Sequence, residues 1–256
     1  MQPTADFYVA AQACIEKVVR EYRPTLLGAY GNIDPSIKSD ATPVTEFDRE
    51  LEQLLQDALA NFDNSIGFEG EESGKSGNEE TFWLVDPIDG TESFVRGLPF
   101  VRNMVTLISN NKPVFTFVYR PIADELFIAS EGGGTFKNGV PVRVSNRPLS
   151  RAWVELSSPL MSESSVAIMQ AIRPQISSFR KLGEFVHVAE GKLDATLMYE
   201  WGGGPWDCAP RGLLVSEAGG RVANVGKDSY DYRNNDVLMA NPIIFDDLMK
   251  IIVEAL

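Results

Sequence analysis

Residues 83–94, with the sequence WLVDPIDGTESF, constrain the fold of this chain more than any other stretch. Residues 82–85 are aromatic, apolar and β-branched, which is typical of a buried strand, and this strand would deliver Asp86 at its carboxyl end. Pro87 has no N–H group to donate, so we expect it to end the ladder of hydrogen bonds. A tight turn then brings Asp89 to the same side as Asp86, and Gly90 lets the backbone approach a ligand closely.

After this turn, Thr91 is predicted to cap a short helix whose first N–H groups point at an anion. Two carboxylates beside N–H groups of this kind suit a divalent metal ion that joins them to a phosphate. The alternative is a capped strand-to-helix turn with acidic surface residues, which a lone pair of aspartates would favour. The whole motif in its context favours the metal site.

The composition bounds the class of protein. With 256 residues, 44% of them hydrophobic and 23% charged, the chain is long enough for one large domain or two intimately joined ones. The net charge of −13 argues against nucleic acid or an anionic membrane as partner. It leaves room for a small anionic substrate, because bound metal reverses the local sign of charge.

Cysteine and histidine are scarce. Cys14 and Cys208 are too few for a disulfide framework, which favours a reducing compartment. With no apolar span and no signal peptide in the sequence, we expect a cytoplasmic protein. His187 is the only histidine and lies among apolar residues, so we interpret it as a packed structural residue. Acid–base chemistry would then depend on carboxylates, hydroxyls and metal-activated water.

The first half reads as two helices followed by a largely antiparallel sheet. Apolar spacing predicts a helix over residues 6–22, a loop over 31–42 and a second helix that Thr45 opens. Asp48 lies three residues after Thr45, close to a capping box, and that structural role alone could explain it. The acidic residues of 66–73 repel one another unless they are solvated or bound to metal, and without the neighbouring motif a solvated loop would be the default. Strands are predicted over residues 104–109, 114–119 and 126–129.

The second half alternates strands with helices, which predicts a layered α/β unit. A hairpin turn at Asn138-Gly139 precedes it, and Gly132 to Gly134 read as a turn. The predicted strands cover residues 152–157, 195–199 and 236–240, and the predicted helices cover 162–172, 184–190, 205–217 and 242–256. We expect an N-terminal α+β half at 1–147 with most metal ligands, and a C-terminal α/β half at 148–256 with Asp207 and substrate contacts. The two would form one compact unit.

Asp207 belongs to a further motif, the stretch GGPWDCAP at residues 203–210. Pro205 suits the first turn of a helix, and Gly219-Gly220 suit its end. A carboxylate in that first turn is stabilised by the helix dipole, which is the simplest explanation of Asp207 taken alone. Together with the motif around Asp86, it becomes a candidate third carboxylate for the same metal cluster.

These motifs, in this order, resemble the signatures of the inositol monophosphatase family, a lithium-sensitive, Mg²⁺-dependent phosphatase superfamily. The resemblance covers nearly the whole chain and lies in GEES at residues 70–73, DPIDGT at 86–91, and WD and EAGG at 206–207 and 217–220. It implies an α+β or α/β fold, a layered α-β-α-β-α sandwich of the inositol monophosphatase and fructose-1,6-bisphosphatase type. It also implies a homodimer with a metal cluster between the halves.

The resemblance assigns the metal ligands. It implies that Glu71, Asp86 and the carbonyl of Ile88 hold one Mg²⁺, and that Asp86 bridges to a second held by Asp89 and Asp207. A weaker third ion would lie near Glu71, Mn²⁺ could substitute, and Li⁺ would inhibit. An all-oxygen set of ligands is what Mg²⁺ demands.

The resemblance also assigns the reacting groups. Thr91 and Asp48 resemble a hydroxyl–carboxylate pair that, with Glu71, positions and activates the water that attacks phosphorus in line. Asp89 and the N–H groups of Gly90 and Thr91 would contact the phosphate. Glu200 resembles a residue that contacts the alcohol portion of the substrate.

The resulting hypothesis is a Mg²⁺-dependent phosphomonoesterase that hydrolyses a small alcohol phosphate, with inositol-1-phosphate first and histidinol phosphate second. Further alternatives are a 3′(2′),5′-bisphosphate nucleotidase, a fructose-1,6-bisphosphatase and a non-catalytic protein that binds metal or phosphate. The chain departs from the family where substrate is chosen. The segment from Gly183 to Gly191 is short, and Gly202 to Gly204 predict a flexible run.

Overall fold

The computed structural model describes residues 3–37, 43–157, 162–183 and 185–256. Part of the predicted loop at residues 31–42 lies outside the described residues, as does Glu184, the first residue of the predicted helix at 184–190. By internal packing the chain divides into two units, Met1–Ser130 and Glu131–Leu256.

The first unit contains three helices among its described residues: α1 (Ala5–Ala29), α2 (Glu46–Phe62) and α3 (Thr91–Val95). Its strands are β1 (Ser36–Ile37), β2 (Pro43–Val44), β3 (Gly67–Gly70), β4 (Gly74–Ser76), β5 (Thr81–Asp89), β6 (Arg102–Ser109), β7 (Lys112–Arg120) and β8 (Glu125–Ser130). Strands β1 and β2 form a separate antiparallel pair. The others follow the order β8-β7-β6-β5-β3-β4, in which only the pair β3–β5 is parallel. The expected antiparallel character is confirmed.

The core of this unit follows from residues repeated every three or four positions on the two long helices. Helix α1 extends beyond the predicted end at Tyr22 and continues through Pro24, because Leu26 adds a further buried residue to the same stripe. The side chains packed in this core come from both helices and from the central strands: Ala11, Ile15, Val19, Leu51, Leu55, Leu59, Trp83, Val85, Phe115 and Phe117.

The second unit begins with the hairpin of β9 (Gly134–Lys137) and β10 (Val140–Val142), followed by a 3₁₀ helix at Leu149–Arg151. It continues through β11 (Trp153–Ser157), α4 (Glu163–Ile172), β12 (Ser178–Phe179), α5 (Val186–Ala189), β13 (Ala195–Met198), α6 (Pro205–Glu217), β14 (Arg221–Asn224), β15 (Val237–Ala240) and α7 (Phe245–Ala255). The five strands after the hairpin form one sheet in the order β12-β11-β13-β15-β14, with β11 parallel to both of its neighbours. The mixed α/β class expected from the sequence is confirmed.

The hairpin packs within the second unit. Its two turn residues, Asn138 and Gly139, have φ values of 48° and 76°, as the Asn-Gly signature predicts. The Glu217 carboxylate accepts hydrogen bonds from the N–H groups of Gly132 and Gly134, each at 2.9 Å. These contacts assign the hairpin to the second unit, whereas the predicted halves, 1–147 and 148–256, divide the chain later. What each half contributes to function stays a prediction.

None of the helices in the described part of the chain is both long and apolar enough to cross a membrane.

Candidate functional site

Strand β5 carries both aspartates of the central motif, and Pro87 does not end it. The ladder with β6 pairs Asp86 with Met104, passes an irregularity and resumes with Asp89 opposite Arg102. A β-bulge accommodates the missing N–H of the proline, and the side-chain amide of Asn103 donates to the Pro87 carbonyl at 2.6 Å. The expectation that the ladder stops at the proline is therefore wrong.

The bulge brings two carboxylates together at the end of β5. Asp86 is 2% exposed, and one of its oxygens lies within 4.8 Å of an oxygen of Asp89. The side chain of Asp89 is 10% exposed, and its Oδ2 forms an ion pair with Nη1 of the buried Arg102. Two like charges so close and so deeply buried are costly without cations, so this group has the character of a cation site.

Gly90 adopts a backbone conformation and a packing position that require a glycine. It adopts φ 88° as the N-cap of α3, and a Cβ there would lie 2.1 Å from the carbonyl oxygen of Phe100. Thr91 is the first residue of that helix and not its cap, which corrects the prediction.

The hydroxyl of Thr91 joins α2 to the end of β5. Its Oγ1 lies 3.1 Å from Oδ1 of Asp48 and 3.0 Å from the carbonyl oxygen of Ile88. A hydroxyl has one proton to donate and two lone pairs that accept. The threonine can therefore donate to either oxygen and still accept a hydrogen bond from a third group.

Asp48 makes two sets of contacts through different oxygens. Its Oδ2 accepts from the N–H and the hydroxyl of Thr45, at 2.7 and 2.5 Å, which forms the N-terminal cap of α2. Its Oδ1 accepts from Thr91. Burial raises the pKa of Asp48, and the hydrogen bonds from these two threonines oppose the rise. The capping role and the contact with Thr91 therefore coexist.

Glu71 follows β3, where its N–H donates to the Val85 carbonyl at 3.0 Å, beside Asp86 in the neighbouring strand. The turn after it is held by Glu52 of α2, a residue that the sequence analysis missed. The buried Glu52 carboxylate accepts from the N–H groups of Glu72 at 3.0 Å and Ser73 at 2.7 Å. A glutamate four residues after Asp48, on the same helix face as buried leucines, was the available signal.

In the second unit, Asp207 lies in the first turn of α6, and α6 begins and ends as predicted. Its Oδ2 accepts from the N–H of Gly204 at 2.8 Å, and its Oδ1 lies 3.4 Å from Nη2 of Arg211. The guanidinium of Arg211 lies over two aromatic rings, 4.6 Å from the centroid of Phe185 and 5.0 Å from that of Trp201. The side chain of Asp207 is thus held by the N–H of Gly204 and by the guanidinium of Arg211.

Glu200, the predicted contact to the alcohol of the substrate, is exposed in a left-handed conformation with φ 51°. Its N–H donates to Oδ1 of Asp236 at 2.8 Å, which supports this strained backbone. In the glycine run that follows, Gly203 is packed, whereas Gly202 is exposed with open space beside it. A Cβ at Gly203 would lie 2.0 Å from the Trp201 ring, and the amide of Asn235 donates to the carbonyls of both residues.

His187 belongs to a charged cluster. Its Nδ1 lies 3.0 Å from Oε2 of Glu190, whose Oε1 accepts from Lys137 and Lys192 at 2.8 Å each. Burial opposes ionisation of Glu190, but these three partners together lower the pKa of Glu190 to about 2. The cluster ties the hairpin to α5 within the second unit.

The fold is mixed α/β, and its site combines a buried pair of aspartates with a threonine–aspartate pair. These features are typical of enzymes that hydrolyse phosphate esters with the help of metal ions. The sequence model of the inositol monophosphatase family matches residues 1–256. The chain belongs to the inositol monophosphatase family and is a phosphoric monoester hydrolase of this Mg²⁺-dependent family.

Individual relatives agree with the family match. The chain is 33% identical to an inositol monophosphatase of Dictyostelium discoideum, an alignment that covers 98% of this chain and 97% of the relative. It is 36% identical to inositol monophosphatase 2 of Solanum lycopersicum, over 83% and 86% of the two chains. The fold is similar to the extragenic suppressor protein suhB of Bartonella henselae, with a TM-score of 0.87 and 28% identity over 96% of this chain and 100% of that one. The expected fold family is therefore confirmed.

Proposed function

We propose that this protein is a Mg²⁺-dependent phosphatase of small alcohol monophosphates, with inositol-1-phosphate as its first candidate substrate. The observation that carries the proposal is the buried Asp86–Asp89 pair beside the Thr91–Asp48 hydrogen bond in one unit of the fold. Carboxylates that converge in this way need a hard cation, and a hydroxyl held by a carboxylate can order a water molecule.

The donors fit Mg²⁺ by their chemistry. The proposed ligands are all oxygens, namely carboxylates of Glu71, Asp86, Asp89 and Asp207 and the carbonyl of Ile88. The Ile88 carbonyl has two lone pairs, so a hydrogen bond from Thr91 leaves one available for a cation. We propose two to three ions, with Mn²⁺ as a substitute and Li⁺ as an inhibitor. Bound there, Mg²⁺ would neutralise phosphate charge and make water more acidic.

Within this proposal, Thr91 and Asp48 hold the attacking water. When Thr91 donates to Oδ1 of Asp48, its lone pairs face away from that bond and can accept a hydrogen bond from the water. Asp48 remains in place during this step because Thr45 fixes its other oxygen. Glu71 would complete the positioning of the water, and the N–H groups of Gly90 and Thr91, together with Asp89, would orient the phosphate.

We propose that Glu200 selects the substrate by contacting its alcohol portion. A carboxylate accepts hydrogen bonds from the hydroxyls of a polyol and also pairs with an ammonium group. Inositol-1-phosphate ranks first because relatives named inositol monophosphatases match most of the chain. Histidinol phosphate ranks second, because Glu200 could pair with its ammonium. We further propose that the protein is a cytoplasmic homodimer.

A panel of phosphate esters tests this function. Release of inorganic phosphate from inositol-1-phosphate, histidinol phosphate, a nucleoside 3′,5′-bisphosphate and fructose-1,6-bisphosphate is measured with Mg²⁺, with Mn²⁺, with added Li⁺ and with EDTA. We expect kcat/KM to be highest for inositol-1-phosphate and turnover to vanish in EDTA. A preference of about 100-fold for histidinol phosphate, about 2.7 kcal/mol, reverses the order of substrates.

Matched variants separate catalysis from mere binding. Asp89→Asn and Asp207→Asn remove metal charge while conserving volume, so they should nearly abolish turnover and leave the circular dichroism spectrum unchanged. Asp57→Asn, an exposed change on α2, serves as the control. If no ester is hydrolysed with any metal, the protein acts only as a binder and the proposal fails.

A further inference from the structure

The feature that the proposed function does not use is the ion pair between Arg102 and Asp89. The side chain of Arg102 is 4% exposed, and its Nη1 lies at hydrogen-bonding distance from Oδ2 of Asp89. The two residues face one another across β5 and β6, directly after the bulge. A guanidinium therefore lies against a carboxylate that is assigned to a metal ion.

The backbone fixes this arrangement. Because Arg102 and Asp89 are partners in the strand register, neither can move far from the other without breaking the end of the ladder. Arginine also keeps its charge at all physiological pH values. The positive charge beside Asp89 is consequently permanent.

We propose that Arg102 is a permanent counter-ion of Asp89 and competes with Mg²⁺ for this carboxylate. It orients Asp89 before metal binds, and by charge repulsion it weakens the binding of the one Mg²⁺ that Asp89 helps to hold. This inference rests on the proposed function. The repulsion lowers the affinity for that ion, so Arg102 raises the Mg²⁺ concentration that the enzyme needs.

Two electrostatic effects lead to opposite expectations in the two states of the enzyme. Without metal, the guanidinium offsets the cost of a buried carboxylate, so its removal destabilises the protein. With metal, the guanidinium and Mg²⁺ share one carboxylate and repel one another. A residue that only supports the fold would change both states equally, which makes the difference measurable.

The test uses the full-length enzyme and the variants Arg102→Met and Arg102→Lys. Mg²⁺ binding is followed by isothermal titration calorimetry, and thermal unfolding is followed in EDTA and in saturating Mg²⁺. For Arg102→Met we expect the Mg²⁺ that Asp89 helps to hold to bind about tenfold more tightly. We also expect a lower Tm in EDTA and a larger gain in Tm on adding Mg²⁺ than in the wild type. Arg102→Lys keeps the charge and should shift both quantities less.

Arg120→Met is the matched control. Arg120 forms an ion pair with Glu125 in the same sheet, with side chains 12% and 23% exposed, and neither residue is assigned to the metal. This variant should lower Tm by a similar amount with and without Mg²⁺ and leave the binding isotherm unchanged.

The possible outcomes are distinct. An isotherm of Arg102→Met that matches the wild type, or a weaker affinity for Mg²⁺, overturns the inference, and so does an equal loss of Tm in both conditions. If Arg102→Met does not fold in EDTA, the isotherm of Arg102→Gln decides, because this variant also removes the charge and an unchanged affinity for Mg²⁺ there overturns the inference. A wild-type enzyme that binds no Mg²⁺ refutes the proposed function itself.

Discussion

Glu52 offers a sharp test of how the fold positions the site. Its buried carboxylate accepts hydrogen bonds from two backbone N–H groups in the turn that follows Glu71, at 3.0 and 2.7 Å. A hydrogen bond to a charged group contributes about 1.5–3 kcal/mol to stability. Glu52→Ala removes both bonds, so we expect the free energy of unfolding to fall by about 4 kcal/mol. Glu52→Gln keeps one carbonyl acceptor and should cost about 2 kcal/mol.

The effect should extend from stability to metal binding, because the turn that Glu52 holds fixes the backbone on either side of Glu71. Urea-induced unfolding in EDTA gives the loss of stability, and calorimetric titration with Mg²⁺ gives the loss of affinity. Glu50→Gln is the control on the same helix, since Glu50 is exposed and its carboxylate accepts a hydrogen bond from the hydroxyl of Tyr22. If Glu52→Gln changes neither quantity by more than the control does, the positioning argument is wrong.

Two further predictions concern single interactions. Thr91→Ala removes the hydroxyl between Asp48 and the Ile88 carbonyl and should lower kcat by about 100-fold, a typical loss for one proton-transfer group. Thr91→Ser should retain most activity, and an alanine variant with unchanged kcat would eliminate the water-positioning role. Because the pKa of Glu190 is lowered to about 2, its contribution to stability is complete above about pH 4.5 and is lost as the pH falls towards 2. Its partner Lys192 is 54% exposed, so solvent screens part of this interaction, and we expect Glu190→Gln to cost about 1–2 kcal/mol of stability at neutral pH. The stability of this variant, measured by urea unfolding, should also fall less steeply at acid pH than that of the wild type. An identical decline at acid pH would contradict this role of Glu190.

Several elements could be predicted from the sequence because local chemistry determines them. Helix α6 begins at Pro205 and ends before Gly219-Gly220, since proline suits a first turn and glycine suits an end. The turn at Asn138-Gly139 follows from residues that tolerate positive φ. Both signals depend only on neighbours in the chain, so no tertiary contact was needed to find them.

Other features depend on contacts between distant residues. The pairing of Arg102 with Asp89 depends on the register of β5 against β6. That register contains a bulge, which no pattern of residues in the sequence predicted. Strands β12 and β14 were missed because they are short, with two and four residues, and their apolar patterns are too brief to recognise. In each case, a contact distant in sequence outweighs the local pattern.

Helix α2 shows how one element connects the core to the candidate site. Its apolar side anchors Leu51 and Leu55 in the core of the first unit. The same side carries Asp48 and Glu52, one helical turn apart, and both carboxylates are 2% exposed. A displacement of α2 would therefore move the contact to Thr91 and the turn after Glu71 together. Mutations that loosen the leucine packing should consequently impair the site and the fold in parallel, whereas Thr91→Ala should impair only the site.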